Sequence, residues 1–587
     1  MARLDPHSYN DDTQPQTDAL DWQARVDFGA KRLEAEATLH FRAPAPKGPL
    51  DLDTRDLELG GVFDLTGGPL PFVLHPPDPV LGARLEIALP AGARGVRIRY
   101  RTAPQASALQ WLDPGQTAGG KEPFLFSQCQ AIHARSVIPL QDTPRLRIRY
   151  QAQLKVPARL KAVMAAAWLK REVAGDEATE HFQMPQPIPP YLFAFAVGEL
   201  VSRELGPRSR VYAEPSLVEA AAQEFAQVDQ MIAAAEQLFG PYDWDRFDIL
   251  TMPPSFPYGG MENPRLTFLT PTIITGDRSL VNVVAHELAH SWTGNLVSNA
   301  NAEHFWLNEG FTVFAERRIL EVLEGKEVAA LHAALGRRSL DEAVARFSQQ
   351  PELTRLRTTL AGIDPDEAYS QVPYEKGYLL LATLEEAVGR EAFARFLRAY
   401  LGAFRFQSIT TDDFLALCER ELPGALARVD AAAWIDGPGV PANAPVARSA
   451  RLEQIDQLGG AIATPAQAAG WNVAQWQLYL DSVTRPVSLE AAAELDARFH
   501  LTASNNPEVL VDWLALAASA GYAPAVPRIE EVLGKVGRMK YLRPLYEALA
   551  KQPATRARAR AAFERFKAGY HPIARQVVEG VLSRAGA

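Results

Sequence analysis

The 587-residue sequence predicts a multi-domain α+β protein. Three observations lead to this prediction. Strand-like alternation dominates the first two hundred residues, mixed but mostly helical patterning follows to about residue 440, and the remainder has apolar residues at helical spacing. A chain of this length also exceeds what one hydrophobic core supports. We therefore expect an all-β N-terminal domain, a mixed middle domain and an all-α C-terminal domain of helical repeats.

The N-terminal domain is predicted over residues 1–200. In "RLEAEATLHFR" and "RLRIRYQAQLKV" apolar and polar residues alternate, which is typical of half-buried antiparallel strands. Clusters rich in Pro and Gly, such as "APAPKGP" and "LTGGPLP", separate these runs as turns do. The region therefore predicts a β-sheet domain.

The middle domain is predicted over residues 201–440. The segment "SLVEAAAQEFAQVDQMIAAAEQLFGPY" predicts one long amphipathic helix. Ser216 and Glu219 match a capping box, and Gly240 matches a helix end. A strand-like "FDILTMPP" and a glycine-rich turn follow, so this domain contains both element types.

The stretch "IDGPGVPANAPVARS" is rich in Pro, Gly and Ala, and we place a linker at its end, over residues 441–449. Residues 450–587 carry Ala and Leu at helical spacing, as in "PEVLVDWLALAASAGY". Stacked helix pairs are the expected result, although the sequence reveals no fixed repeat period.

Composition excludes several classes of protein. A formal net charge of −10 and scattered basic residues argue against nucleic-acid binding, and we interpret "RARARAAFERFK" as a solvated helix face. Neither a secretory signal nor an apolar run long enough to span a bilayer is recognisable. The two cysteines, Cys129 and Cys418, cannot form a disulfide framework and suit a reducing compartment. We expect a cytoplasmic monomer that does not insert into a membrane.

The segment "VVAHELAHSWTGN" carries the chemistry that decides function. His286 and His290 are four residues apart, so on a helix both imidazoles face one side and can bind a single ion. Glu287 lies beside the first histidine, where it can accept a proton from a water molecule activated by zinc. Glu309, eighteen residues beyond His290, opens another helical pattern and is the expected third ligand. The alternative is a pair of core histidines with a buried, paired glutamate.

Two neighbouring features are compatible with more than one interpretation. Glu316 is on the same helix face as Glu309 and either orients a ligand histidine or forms a surface salt bridge. In "PYGGMENP", two glycines allow a peptide backbone to approach, and Glu262 could hold a free α-ammonium group. A tight turn with a surface glutamate would give the same sequence.

"GGMEN" followed by His-Glu-x-x-His and the later glutamate resembles the zinc aminopeptidases of the gluzincin family. The similarity extends over nearly the whole chain. It includes "SQCQAIHARSVIPLQDTP", "HSWTGNLV", "HFWLNEG", "DPDEAYSQVPYEKG" and "GRMKYLRPLY". The resemblance implies a thermolysin-like catalytic domain, one Zn²⁺ per chain and short peptides as substrates, bound in a cleft between three domains.

The resemblance also implies roles for individual residues. Glu262 would bind the substrate amine with help from Gln130, and the backbone of Gly259, Gly260 and Met261 would lie along the scissile residue. Tyr374 would donate its hydroxyl to the oxyanion, and Arg538 with Lys540 would bind the carboxylate of a short peptide. From the residues alone, Tyr374 could equally be a core aromatic, and Arg538 and Lys540 surface charges.

Two other functions compete with a simple aminopeptidase. One branch of the family also hydrolyses a lipid epoxide, and Asp366 and Tyr369 occupy the positions associated with that activity, although both residues could simply line the peptide cleft. The second alternative is a catalytically silent scaffold with a structural zinc. Structural sites usually have four protein ligands, mostly cysteine, and only three ligands are evident here. The preferred N-terminal residue of the substrate does not follow from the sequence.

Overall fold

The computed structural model describes residues 4–585, and its first part consists of strands. These strands are β1 Thr17–Asp27, β2 Arg32–Phe41, β3 Gly48–Thr54, β4 Glu58–Phe63, β5 Phe72–Leu74, β6 Ala83–Leu89, β7 Gly95–Arg101, β8 Leu109–Leu112, β9 Phe124–Ser127, β10 Ile148–Pro157, β11 Lys161–Met164, β12 Ala167–Ala174, β13 Glu177–Ile188 and β14 Phe195–Gly198. Within residues 4–585, they form a seven-stranded sheet, a four-stranded sheet and a three-stranded sheet.

The two strands that alternation predicts are β2 and β10, and both belong to the seven-stranded sheet. Strand β1 lies between them, antiparallel to β2 and parallel to β10. Residues of β10 alternate strictly between buried and exposed. The sheet therefore buries one face, as a period of two requires.

A five-stranded β-sheet begins the middle part of the chain. Its strands are β15 Val201–Gly206, β16 Ser209–Ala213, β17 Phe247–Thr251, β18 Gly260–Met261 and β19 Leu266–Leu269. The strand order is β15-β16-β17-β19-β18, so the short β18 is an edge strand. It pairs antiparallel with β19, and its other edge faces the cavity described below.

Helices and one small parallel strand pair complete the middle part. They are α1 Val218–Glu224, α2 Val228–Phe239, α3 Val281–Ala289, β20 Val297–Asn299, α4 Trp306–Glu324, α5 Lys326–Arg346, α6 Gly377–Val388, α7 Arg390–Ala403, β21 Gln407–Ile409, α8 Thr411–Glu421, α9 Ala425–Arg428 and α10 Ala431–Ile435. The middle part of the chain thus contains both strands and helices, as the prediction of a mixed domain requires.

The prediction of one long helix in "SLVEAAAQEFAQVDQMIAAAEQLFGPY" is wrong in two respects. A turn separates α1 from α2, and it allows Phe225 and Val228, on either side of it, to be buried in the same core. The expected capping box is also absent from α1, because Leu217 is its N-cap and no side chain caps the helix. Gly240 does end α2, with φ of 98°.

The C-terminal part is helical. Its helices are α11 Ala450–Asp456, α12 Pro465–Ala468, α13 Val473–Ser482, α14 Leu489–Phe499, α15 Pro507–Ser519, α16 Val526–Lys535, α17 Met539–Lys551, α18 Pro553–Phe566 and α19 Pro572–Arg584. Leu331 of α5 joins their hydrophobic core, so this part packs on the middle domain. None of the helices within residues 4–585 is both long and apolar enough to cross a bilayer.

Candidate active site

Helix α3 carries the His-Glu-x-x-His motif and presents both imidazoles to one point. The Nε2 atoms of His286 and His290 lie 3.2 Å apart. From the neighbouring helix α4, Glu309 places its Oε2 atom 3.5 Å from Nε2 of His286 and 3.6 Å from Nε2 of His290. The structure therefore brings together the three residues that the sequence predicts as metal ligands.

The spacing of these donor atoms fits a tetrahedral zinc ion. Ligand atoms about 2.0 to 2.2 Å from zinc at tetrahedral angles lie about 3.4 Å from one another. Glu309 is 2% exposed, and its Oε2 atom has no hydrogen-bond partner anywhere in residues 4–585. A buried carboxylate oxygen without a partner is costly, and a cation at this point would stabilise it.

A second set of contacts orients the two imidazoles. Nδ1 of His286 is 3.0 Å from Oε2 of Glu316, so this glutamate contacts the first histidine of the motif. Nδ1 of His290 is 3.1 Å from the carbonyl oxygen of Thr293 and 3.2 Å from Oγ1 of Thr312. Because Nδ1 is engaged in each ring, Nε2 is the nitrogen available to a metal.

Glu287 extends from α3 towards the edge strand β18. A Cβ atom on Gly260 would lie 2.6 Å from Cγ of Glu287 and closer still to its carboxylate, so glycine is needed at this position. Burial raises the pKa of the Glu287 carboxyl to about 8; His286 opposes this shift and Glu309 adds to it. A carboxyl group with a pKa near neutrality is suited to proton transfer.

Glu262 follows β18 directly and is buried. Its Oε1 atom accepts a hydrogen bond from Nε2 of Gln130 at 3.4 Å, and its backbone carbonyl accepts one from Nδ2 of Asn295 at 2.7 Å. Burial raises the pKa of the Glu262 carboxyl well above its usual range, and the nearby charge of Glu309 adds to the shift. An ammonium group beside this carboxyl would favour its ionised form and so lower its pKa again.

Tyr374 lies in the short π-helical turn Val372–Lys376, close to His286. Its ring is 6.2 Å from the ring of His286 at an interplanar angle of 21°. The Tyr374 hydroxyl donates to the Tyr369 hydroxyl at 3.2 Å. Burial raises the pKa of Tyr374 well above its usual value, so the phenol is a neutral hydrogen-bond donor.

Asp366 and Tyr369 lie on the loop before that turn, and both line the cavity. Oδ2 of Asp366 is 2.9 Å from Nε2 of His133, which belongs to the N-terminal part of the chain. Tyr369 is 39% exposed, with its ring 6.4 Å from that of Tyr258. The structure thus places both residues on the cavity wall and ties this loop to the N-terminal domain.

Arg538 and Lys540 enter the same space from the C-terminal helices. The cavity has a volume of about 1940 Å³, and its lining includes Glu287, Glu309 and Arg538. Both basic residues form ion pairs with Glu508, at 3.0 Å from Arg538 and 2.6 Å from Lys540. The guanidinium of Arg538 is buried, so it is not the surface charge that the alternative interpretation supposed.

The sequence left several contact residues unidentified. Thr312 lies three residues after Glu309, and helical spacing alone could have placed it beside the ligands. His133 falls within a segment that resembles the family, but its contact with Asp366 spans 233 residues of sequence. Glu508 lies in "PEVLVDWLALAASAGY", where the helical pattern gives no indication of its partners.

Two imidazoles and one carboxylate around a common point, with a further glutamate beside them in a deep cavity, define a zinc-dependent hydrolase. Family models identify it more closely. The peptidase M1 N-terminal domain matches residues 6–192, the peptidase family M1 domain residues 224–434 and the leukotriene A4 hydrolase C-terminal domain residues 471–582.

Individual relatives agree with these models. Leukotriene A-4 hydrolase of Xenopus laevis is 37% identical, with 98% of each chain covered. Leucine aminopeptidase 2 of Yarrowia lipolytica is also 37% identical, over 94% of this chain and 90% of the relative. Yeast LTA4 hydrolase in complex with bestatin has a TM-score of 0.92 at 33% identity, covering 99% of this chain and 97% of that chain. The chain belongs to peptidase family M1 and is a zinc aminopeptidase related to the leukotriene A4 hydrolases.

Proposed function

We propose that the protein removes N-terminal residues from short peptides with one Zn²⁺ ion per chain. His286, His290 and Glu309 would hold the ion, and the observation that supports this assignment most directly is the spacing of their donor atoms, 3.2 to 3.6 Å. When bound, zinc acts as a Lewis acid that lowers the pKa of water and polarises a carbonyl group. Glu316 would keep the His286 imidazole in the orientation that binds metal.

The proton transfers are assigned to Glu287. Its carboxylate accepts a proton from the water molecule that attacks the scissile carbonyl carbon. As the carbon–nitrogen bond breaks, the same carboxyl group returns that proton to the leaving amine nitrogen. The contact of Glu287 with the Gly260 position supports this role, because it places the carboxyl group beside the edge strand where a peptide would pair.

Binding and stabilisation of the reacting groups are assigned to three sets of residues. Glu262, assisted by Gln130, binds the α-ammonium group of the substrate, and the buried carboxyl of Glu262 supports this role. The backbone of 259–261 pairs with the first residue of the peptide. Tyr374 donates its hydroxyl hydrogen to the oxyanion, a contact worth about 3 kcal/mol of activation free energy when preorganised.

Arg538 and Lys540 would bind the carboxylate at the other end of the peptide, which favours substrates of two or three residues. Their position in the same cavity as Glu287 supports this assignment. We further propose domain limits of 1–200, 201–440 and 450–587 with a linker at 441–449. We also propose a cytoplasmic location and a monomeric state; the two free, buried cysteines support a reducing compartment.

Hydrolysis of an aminoacyl-arylamide, with and without a chelator, tests this proposal. We expect activity that the chelator abolishes and added zinc restores. Glu287→Gln should fold, retain zinc and lose activity by about 100-fold or more. If that variant keeps full turnover, or if the purified protein binds no stoichiometric metal, the proposed mechanism is wrong.

A second activity, hydrolysis of a lipid epoxide, is favoured by two observations. Asp366 and Tyr369 lie on the wall of the cavity that contains the proposed metal ligands, and relatives bear the name leukotriene A4 hydrolase. Incubation with leukotriene A4, followed by product analysis, tests it. We expect Asp366→Asn to abolish epoxide opening if the activity exists, and absence of any diol product from the wild-type protein would exclude it.

A further inference from the structure

Glu508 of α15 is a buried carboxylate that lines the cavity beside Arg538 and Lys540. It is 4% exposed. Its Oε1 atom accepts hydrogen bonds from Nη1 of Arg538 at 3.0 Å and from the Tyr541 hydroxyl at 2.9 Å, and its Oε2 atom accepts one from Nζ of Lys540 at 2.6 Å. Burial opposes ionisation, but the charges of Lys540 and Arg538 lower the pKa of Glu508 to about 2.

These contacts fix which edge of the Arg538 guanidinium faces the cavity. Nη1 donates to Glu508, to the Tyr541 hydroxyl at 2.8 Å and to Oγ1 of Thr272 at 3.3 Å. Nη2 lies on the other side, where a Cβ atom on Gly259 would come within 2.9 Å of it. Nη2 therefore lies beside the backbone that leads into β18.

The backbone on each side of Arg538 is attached to the same loop. The amide of Gly537 donates to the carbonyl of Pro254 at 2.7 Å, and the amide of Met539 donates to the carbonyl of Pro257 at 2.9 Å. The loop carrying both acceptors runs directly into β18. The loop holds the main chain on either side of Arg538, and Glu508 holds its guanidinium. These contacts fix the distance between Arg538 and the edge strand β18.

We propose that Glu508 is a positioning residue for the recognition of a peptide's C-terminal carboxylate. It holds Nη1 of Arg538 so that Nη2 meets the C-terminal carboxylate of a peptide paired along β18. This inference rests on the function proposed above. Charge-assisted hydrogen bonds need good alignment, and a misplacement of about 1 Å is enough to lose about 100-fold in rate.

The test compares one tripeptide as free acid, the same tripeptide as C-terminal amide, and an aminoacyl-arylamide. In Glu508→Gln and Glu508→Asp, we expect the free-acid to amide ratio of kcat/KM to fall by about tenfold or more. The loss should come from a higher KM for the free acid, whereas arylamide kcat should change little. Glu508→Asp keeps the charge but shortens the side chain, so it separates position from charge.

Glu547→Gln is the matched control. Glu547 lines the same cavity and pairs at 3.0 Å with Arg543, which lies one turn before it in α17. This ion pair does not include Arg538. We expect this variant to keep the wild-type free-acid to amide ratio. If Glu508 variants do not fold, Gly259→Ala displaces Nη2 from the opposite side and should lower the same ratio.

The outcomes separate this inference from the proposed function. A wild-type enzyme that hydrolyses no N-terminal residue contradicts the proposed function itself. An active wild-type enzyme without preference for the free acid, folded Glu508 variants that keep that preference, or variants that lose activity equally on all three substrates would each overturn the role of Glu508.

Discussion

Replacing Gly260 with Ala tests whether the position of Glu287 governs turnover. The new Cβ atom would lie 2.6 Å from Cγ of Glu287, whereas nonbonded carbon atoms approach to about 3.5 Å. The carboxylate must move by about 1 Å, and a displacement of that size costs about 100-fold in rate. We expect kcat on an aminoacyl-arylamide to fall about 100-fold. Zinc content, measured by elemental analysis, should not change, because the ligands are untouched.

Gly402→Ala provides the control for this substitution. Gly402 lies on the exposed face of α7, and a Cβ atom there meets nothing within 4 Å. We expect wild-type kcat and an unfolding free energy higher by about 0.5 to 1 kcal/mol. A Gly260→Ala protein with wild-type kcat would refute the argument. If the Gly260→Ala protein loses zinc, its lower activity would come from the metal ligands and not from displacement of Glu287.

Three further predictions concern residues around the site. Glu316→Gln should weaken zinc binding by about tenfold or more, measured by competition with a chelating dye; unchanged affinity would contradict the orienting contact. Arg317→Met leaves the buried Glu375 carboxylate without its partner and should lower the unfolding free energy by about 3 kcal/mol or more. In urea unfolding, adding Glu375→Gln to Arg317→Met should restore part of the lost unfolding free energy. Burial lowers the pKa of Lys376 to about 7, so between that pH and about 10 the unfolded chain binds more protons and the lysine's contribution to stability rises with pH. The wild-type minus Lys376→Met difference in unfolding free energy should rise accordingly, and a flat difference would exclude the titration of this lysine as its cause.

The parts of the fold that the sequence predicts are those set by local patterns. Alternation over ten residues predicts β2 and β10 correctly, because each strand has one buried face whatever its partners are. The spacing of His286 and His290 likewise predicts their common direction correctly, because residues four apart lie on one face of a helix. Glu309 could be predicted as a third ligand because its helix follows closely in the chain, although its distance to the imidazoles could not.

The remaining features depend on contacts between distant segments. The break between α1 and α2 follows from the burial of Phe225 and Val228 in a core made by other elements, and no local breaker residue indicates it. The contact between Gln130 and Glu262 joins residues 132 positions apart. Glu508 shows most clearly what the sequence does not predict. A glutamate in the first turn of a helix is usually explained by its favourable interaction with the helix dipole alone. Only the packing of α15 against α17 shows it to be the partner of Arg538.

The buried ion pair between Arg317 and Glu375 connects two parts of the site that the chain otherwise separates. Arg317 follows Glu316, which contacts His286, and Glu375 follows Tyr374. Nη2 of Arg317 is 2.8 Å from Oε2 of Glu375. A buried pair of this kind contributes little net stability over an apolar pair, so stability alone does not account for it. The pair instead links helix α4, which carries Glu316, to the turn that carries Tyr374.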